Sequence, residues 1–267
     1  MDFLKFTVDQ PSVLRSFLKE KLGLSGRAVK RIIDRGWVYV DKERIFKANF
    51  SLSWGNVVEV IFGKPNLSYD ILFEDDYILA VSKPPFLQTN GSPDSLEALL
   101  NKKGKRVRAI HRLDSETTGA VLFAKEEGIF EKFKELFRKR QIVKVYKVIA
   151  EGNIERDSFS VSSPVYGRDA LSIFKVLKRN KIASLLEARI LTGRKHQIRV
   201  HLSQIGHPVV GEKLYRRGKI KEELVRKVPR AMIHCEELSF EHPFTKEYVR
   251  ILAELPDDFR WALSILF

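Results

Sequence analysis

Cysteine is nearly absent from this chain of 267 residues: Cys235 stands alone. A single thiol excludes an intramolecular disulfide framework and suits a reducing compartment. Long apolar runs are missing too, and none approaches the ~20 residues that a membrane-spanning helix needs. The opening Met1-Asp2-Phe3-Leu4-Lys5 lacks the basic, apolar and small-residue regions of a secretory signal. No internal repeat, low-complexity tract or glycine-rich nucleotide loop is present. Acidic residues are in deficit, with 34 Asp and Glu against 48 Lys and Arg, a formal net charge of +14. Such an excess fits a polyanionic partner. The expectation is a cytoplasmic protein that handles nucleic acid, with no membrane association.

Residues 1–63 read as a small α/β module. Val13, Leu14, Phe17 and Leu18 recur at helical spacing, and Gly23 offers a stop. Ser25 can cap a second helix running to Asp34 and ended by Gly36. There Val29, Ile32 and Ile33 share one side, while Arg27, Lys30, Arg31 and Arg35 occupy the opposite arc. A cationic arc is often just a solvated face. In a chain this basic, phosphate contact is the favoured reading. Strands are expected at 37–40 and 57–62, and a proline-stiffened linker at 64–70.

From 71 to 267 strand patterns dominate, at 71–74, 77–82, 121–125, 143–151, 171–176, 185–191, 232–240 and 248–252. Helical patterns fall at 128–140, with Phe130, Phe133, Leu136 and Phe137 on one side, and at 196–205. Without regular strand–helix alternation this is an α+β domain: a largely antiparallel mixed β-sheet flanked by helices.

Several stretches carry chemistry. Arg108-Ala109-Ile110-His111-Arg112-Leu113-Asp114 sets one carboxylate among cations that would hold it ionised. Thr117-Thr118-Gly119 then makes a small turn that a polymer backbone can approach. Asp114 could be a metal ligand, a helix cap, half of an ion pair or a catalytic carboxylate. Metal binding is disfavoured because no second carboxylate lies at a useful spacing. Lys83, in Ser82-Lys83-Pro84-Pro85, reads as a surface lysine. Lys144, Tyr146 and Val148 share one sheet face, where the ring is either a base-stacking platform or ordinary packing. In Thr192-Gly193-Arg194-Lys195-His196-Gln197-Ile198-Arg199-Val200-His201, a helix starting near His196 would create an anion site. His196 and His201 would diverge by about 140° on that helix, poor geometry for a shared zinc. Gly206-His207-Pro208 with Gly211 could be no more than a turn.

Together and in this order the stretches are specific. Residues 71–263 resemble the RluA-type family of RNA pseudouridine synthases. The hallmark appears as His111-Arg112-Leu113-Asp114-Ser115-Glu116-Thr117-Thr118-Gly119, with Thr118 in place of a common serine. Lys144-Val145-Tyr146 stands where the family has Lys-x-Tyr, and the segment from Thr192 to His201 matches the third motif. The loop from Pro85 to Asn90 lacks the glycine and histidine usual there. The N-terminal module resembles the S-four-type RNA-binding domain through Leu24-Ser25-Gly26-Arg27-Ala28-Val29-Lys30-Arg31-Ile32-Ile33 and Gly36-Trp37-Val38-Tyr39-Val40-Asp41.

The resemblance implies an isomerase that converts uridine in RNA to pseudouridine without cofactor or metal. It implies an RNA-binding domain at 1–63, a linker at 64–70 and a catalytic domain at 71–267. Asp114 would be the essential carboxylate, paired with and oriented by Arg199. Tyr146 would stack on the target base and help remove the proton from its carbon. Arg112 would fill the space left by the extruded uridine. His111, Thr117, Lys144, Arg194 and His196 would contact RNA in the cleft, and Arg27, Lys30 and Arg31 elsewhere. The expected partner of this monomer is large-subunit ribosomal RNA, with transfer RNA as the alternative. A non-catalytic RNA-binding or ribosome-assembly protein would share the charge but not the matching of Asp114, Tyr146 and Arg199. A two-metal nuclease would need clustered carboxylates.

Overall fold

The computed structural model of the chain describes residues 2–34, 37–62, 69–218, 220 and 222–267, and its contacts divide into two units, Met1–Ser68 and Tyr69–Phe267. In the first unit β1 (Asp2–Thr7) and the short β2 (Ser12–Val13) precede helices α1 (Leu14–Leu22) and α2 (Gly26–Asp34). Strands β3 (Val38–Val40), β4 (Glu43–Arg44), β5 (Ser51–Leu52) and β6 (Val57–Phe62) follow. An antiparallel sheet runs in the order β1-β6-β3-β4. Leu14, Phe17 and Leu18 of α1 and Val29 and Ile33 of α2 bury one apolar stripe each against Val38, Val40, Val58 and Val60 of the sheet.

The local signals work as chemistry requires. Gly23 stops α1 at φ 64°, a left-handed position that glycine takes without a Cβ penalty. Ser25 Oγ accepts the Ala28 N–H at 3.3 Å as an N-cap. Val13, expected inside the first helix, is instead the exposed residue just before it. Arg27 and Lys30 lie exposed on α2, opposite its buried stripe. The Arg31 side chain, Arg35, Gly36 and residues 64–68 of the expected linker lie outside the described residues.

In the second unit β7 (Ile71–Glu74) and β8 (Ile78–Lys83) lead through α3 (Leu96–Lys102) to β9 (Arg108–Ala109) and β10 (Thr118–Ala124). Then come α4 (Glu127–Arg138), β11 (Val143–Glu151), β12 (Ser158–Ser162), β13 (Leu171–Arg179), β14 (Ala183–Ile190) and α5 (Gln197–Gln204). The chain closes with α6 (Glu223–Lys227), β15 (Ile233–Glu241), β16 (Tyr248–Leu252) and α7 (Asp257–Leu266). One mixed sheet takes the order β12-β13-β14-β11-β15-β10-β8-β7, with β16 beside β15 and β9 beside β10. Among the described strands only β10 and β15 pair in parallel. The α+β architecture with a largely antiparallel sheet is as the strand pattern indicates. No helix among the described residues is long and apolar enough to cross a membrane.

Three features of this sheet position the site. Every residue of β10 is buried, as expected of a central strand covered on both faces. Ile129, Phe130 and Phe133 of α4 are buried beside it, each worth about 1.5–3 kcal/mol of burial. Across the sheet, Gly119 of β10 pairs with Cys235 of β15, and Cys235 pairs with Tyr146 of β11. Gly119 sits at φ 111°, where a Cβ would lie 2.1 Å from the Cys235 carbonyl oxygen. The missing side chain lets the three strands close and brings Tyr146 toward the loop that precedes β10.

Candidate active site

That loop, residues 110–117, is pinned on both sides of Asp114. Thr89 Oγ1 accepts the Leu113 N–H at 3.1 Å and lies 3.2 Å from the Leu113 carbonyl. Lys83 Nζ donates to the Ser115 carbonyl at 3.1 Å, and also to the carbonyls of Leu87 at 2.8 Å and Pro84 at 3.0 Å. Arg230 donates to the Glu116 carbonyl at 2.9 Å, while Glu116 Oε2 accepts the Ala231 N–H at 2.9 Å. The Thr117 N–H returns to the Asp114 carbonyl at 3.0 Å. With Leu113, Ser115, Glu116 and Thr117 all tied, the Asp114 carboxylate is held at the wall of a cleft of about 380 Å³.

The cleft gathers nine of the twelve residues singled out from sequence: His111, Arg112, Asp114, Thr117, Lys144, Tyr146, Arg194, His196 and Arg199. Phe137 of α4, Ile190 of β14 and Ile233 of β15 supply apolar wall. Arg27 and Lys30 belong to the first unit.

The structure corrects four expectations. Arg199 does not pair with Asp114; its guanidinium grips Glu212 at two points, Nε to Oε2 at 2.6 Å and Nη2 to Oε1 at 2.7 Å. Both side chains are buried. Burial pushes the Glu212 carboxyl up, but the hydrogen bonds and charge of Arg199 and the Leu214 and Tyr215 amides outweigh it, leaving it below its ordinary range. Arg108 does not surround Asp114 either: it pairs with Glu127 and lies 3.6 Å over the Phe130 ring. His111 is no cation. Its Nε2 accepts the Leu122 N–H at 3.1 Å, its ring lies 5.0 Å from Phe137, and burial followed by the charge of Lys144 drives its pKa to about 3. Lys83, read as a surface lysine, is fully buried: burial, then the charge of Arg230, pull its pKa well below the ordinary 10.5, and three carbonyls accept its hydrogens.

The Asp114 carboxylate faces His196, with Nε2 3.6 Å from Oδ1. His196 takes φ 57°, just before α5 begins at Gln197. A left-handed position costs a residue with a Cβ about 1–2 kcal/mol, and it persists where surroundings over-determine it. Burial lowers the imidazole pKa more than the Asp114 carboxylate raises it, so the ring is neutral in neutral solution. His201 faces elsewhere, toward Ser172 Oγ at 2.9 Å and the Ser163 carbonyl at 3.1 Å.

Tyr146 is buried, and burial first, then Cys235 and Asp114, hold its phenol well above the ordinary 10. It keeps its proton in neutral solution, which weighs against the expected role of base. Lys144 Nζ lies 5.4 Å over Phe137, and burial pulls its ammonium below the ordinary 10.5 against the opposing pull of Cys235. Arg194 donates to the Asp169 carbonyl at 3.1 Å, and exposed Arg112 stands at the rim. Thr118, which replaces serine, places its hydroxyl 2.8 Å from His234 Nδ1, while His234 Nε2 lies 3.0 Å from the Ala253 carbonyl.

Glu212 and Tyr215 were missed by sequence reasoning. Glu212 Oε1 accepts backbone N–H groups of Lys213 at 2.9 Å, Leu214 at 2.7 Å and Tyr215 at 3.2 Å. The Tyr215 hydroxyl then bonds His196 Nδ1 on one side and the Tyr166 hydroxyl on the other. The available signal was a carboxylate directly after Gly211 in a cation-rich segment, with an aromatic three residues on.

Residues 77–204 match the family described as RNA pseudouridylate synthase. The dual-specificity RNA pseudouridine synthase RluA of Vibrio cholerae is 34% identical over 194 residues, 65% of this chain and 78% of that protein. Ribosomal large subunit pseudouridine synthase C of Yersinia pestis is 30% identical over 291 residues, 94% of this chain and 91% of that protein. Among solved structures, human RNA pseudouridylate synthase domain containing 4 superposes with a TM-score of 0.62 at 24% identity, covering 73% of this chain and 92% of that one. That last likeness is one of fold.

Proposed function

The chain belongs to the RluA-type family of RNA pseudouridine synthases, and from that premise we propose that it isomerises uridines of large-subunit ribosomal RNA with Asp114 as the essential carboxylate. The relative spanning 91% of its own length with this chain is named for the large ribosomal subunit, which supports that target over transfer RNA. One observation carries the assignment of Asp114: four neighbours are tied by hydrogen bonds while its own carboxylate lines a cleft beside Tyr146.

The reaction breaks the bond from the base nitrogen to C1′ of the ribose, turns the base and joins its C5 to C1′. The C5 proton leaves and the freed nitrogen gains one, so nothing is oxidised or hydrolysed. Attack on C1′ and removal of a ribose proton are the two routes open to Asp114, and both use the ionised form. The cleft is at the small end of ligand-pocket sizes, fitting one extruded nucleotide. Extrusion costs a few kcal/mol and least in loops, so loop uridines are the targets. Tyr146 supplies a ring against the base, and Arg112 at the rim occupies the vacated stack. The first unit acts as an S-four-type RNA-binding domain through Arg27, Lys30 and Arg31, and the enzyme works as a cytoplasmic monomer.

Incubating purified protein with unmodified large-subunit ribosomal RNA and transfer RNA transcripts, then mapping pseudouridine, tests the target. Modification confined to ribosomal loops is expected. Modification of transfer RNA alone would overturn the ribosomal target.

A further inference from the structure

Hydrogen bonds run inward from exposed Tyr166 through Tyr215 to His196, whose Nε2 faces the Asp114 carboxylate. We propose that the Tyr215 hydroxyl is a positioning group for the reaction, setting the His196 tautomer so that its Nε2 proton is aimed at Asp114. The inference rests on the reading of Asp114 as the essential carboxylate.

The direction of the line follows from its ends. His196 Nε2 faces Asp114 Oδ1 at 3.6 Å. A bare nitrogen lone pair there would oppose a carboxylate lone pair, whereas an N–H would be attracted to it. The proton therefore sits on Nε2, and Nδ1 is left as an acceptor. The atom facing Nδ1 is the Tyr215 hydroxyl, which must donate. Tyr215 then has lone pairs free to accept from Tyr166. Burial of His196 keeps the imidazole neutral, so it has a single proton to place. The separation of 3.6 Å is longer than a formed hydrogen bond, and interactions of this kind tighten when substrate closes the site.

Tyr215 is itself built in place. Its N–H is bound by Glu212 Oε1 at 3.2 Å, its ring lies 5.4 Å beneath the Arg199 guanidinium, and it meets the His196 ring edge-on at 5.6 Å. Glu212, which takes the fork of Arg199, thereby also fixes the tyrosine that orients His196. Arg199 thus supports the Asp114 neighbourhood without touching its carboxylate.

Nitrogen-15 NMR of the imidazoles and steady-state kinetics test this. In the wild-type protein the His196 ring is expected as the Nε2–H tautomer. Tyr215→Phe, which keeps the ring and removes only the hydroxyl, is expected to shift that tautomer balance. It should lower kcat about tenfold while KM for RNA stays within about twofold. Tyr166→Phe should act in the same direction and more weakly. A wild-type Nδ1–H tautomer, or Tyr215→Phe with unchanged kcat, overturns the proposal; so does a change confined to KM. Asp114→Asn, assayed in parallel, separates the two levels. If Asp114→Asn is inactive and Tyr215→Phe is normal, only the positioning role falls, whereas turnover in Asp114→Asn overturns both.

Discussion

Arg199 and Glu212 form a buried two-point ion pair, with separations of 2.6 and 2.7 Å. Because Glu212 also caps three successive backbone amides, the pair joins α5 to the segment carrying Tyr215. Its removal should be felt both in stability and at the carboxylate.

Glu212→Ala leaves the Arg199 guanidinium buried and unpaired, a situation that costs about 3–5 kcal/mol. Chemical denaturation should show a loss of that size. The pH sign follows from the lowered folded-state pKa of Glu212: its stabilisation is complete above the unfolded value of 4.5 and is lost as pH falls through the lower folded value. The difference between wild type and Glu212→Gln should shrink in acid. A constant difference across that range would contradict the ionised pair.

Lys83→Met keeps the volume and removes the donor. Three carbonyls, including that of Ser115, lose their partner in a buried site, a penalty of about 1–3 kcal/mol for each group left unsatisfied. Both the midpoint of thermal unfolding and turnover should fall. Full activity in a destabilised variant would show that the loop holds Asp114 without this tie.

His111 should remain neutral through the physiological range. Its folded pKa of about 3 lies below the unfolded 6.5, so the stability it contributes is complete above pH 6.5 and erodes as pH drops toward 3. A carbon-bound proton titration by NMR should show no His111 transition down to about pH 5. A midpoint near 6.5 would mean that the imidazole does not accept the Leu122 amide.

Charge reversal of Arg27 and Lys30 together should weaken RNA binding. It should also reduce the slope of log affinity against log salt by about one for each phosphate that the variant no longer engages. An unchanged slope would assign this arc of α2 to solvent.

Much of the cleft was legible because its geometry is local. The motif around Asp114, the Lys144–Tyr146 strand alternation and the Thr192 to His201 segment each place side chains by short-range rules, and all converge in space. What was illegible depends on distant partners. Lys83 looks like any exposed lysine until Leu87 and Ser115 fold over it. Arg199 looks available to Asp114 until Glu212 takes its fork. His111 looks cationic until Phe137 and the Leu122 amide enclose it. The same holds for the fold. The α2 stripe announces itself, whereas the end of β13 carries exposed Lys175, Lys178 and Arg179 and is a strand because β14 pairs with it. The short α3, capped by Ser95, gives little periodicity to read.

The most direct measurement is turnover of purified Asp114→Asn on the RNA that the wild-type protein modifies, together with its affinity for that RNA. The substitution keeps the shape of the side chain and removes its charge. Loss of pseudouridine formation with affinity retained is expected, because the carboxylate acts on bound uridine and the basic surfaces do the binding. Pseudouridine formation at the wild-type rate would contradict the assignment of Asp114.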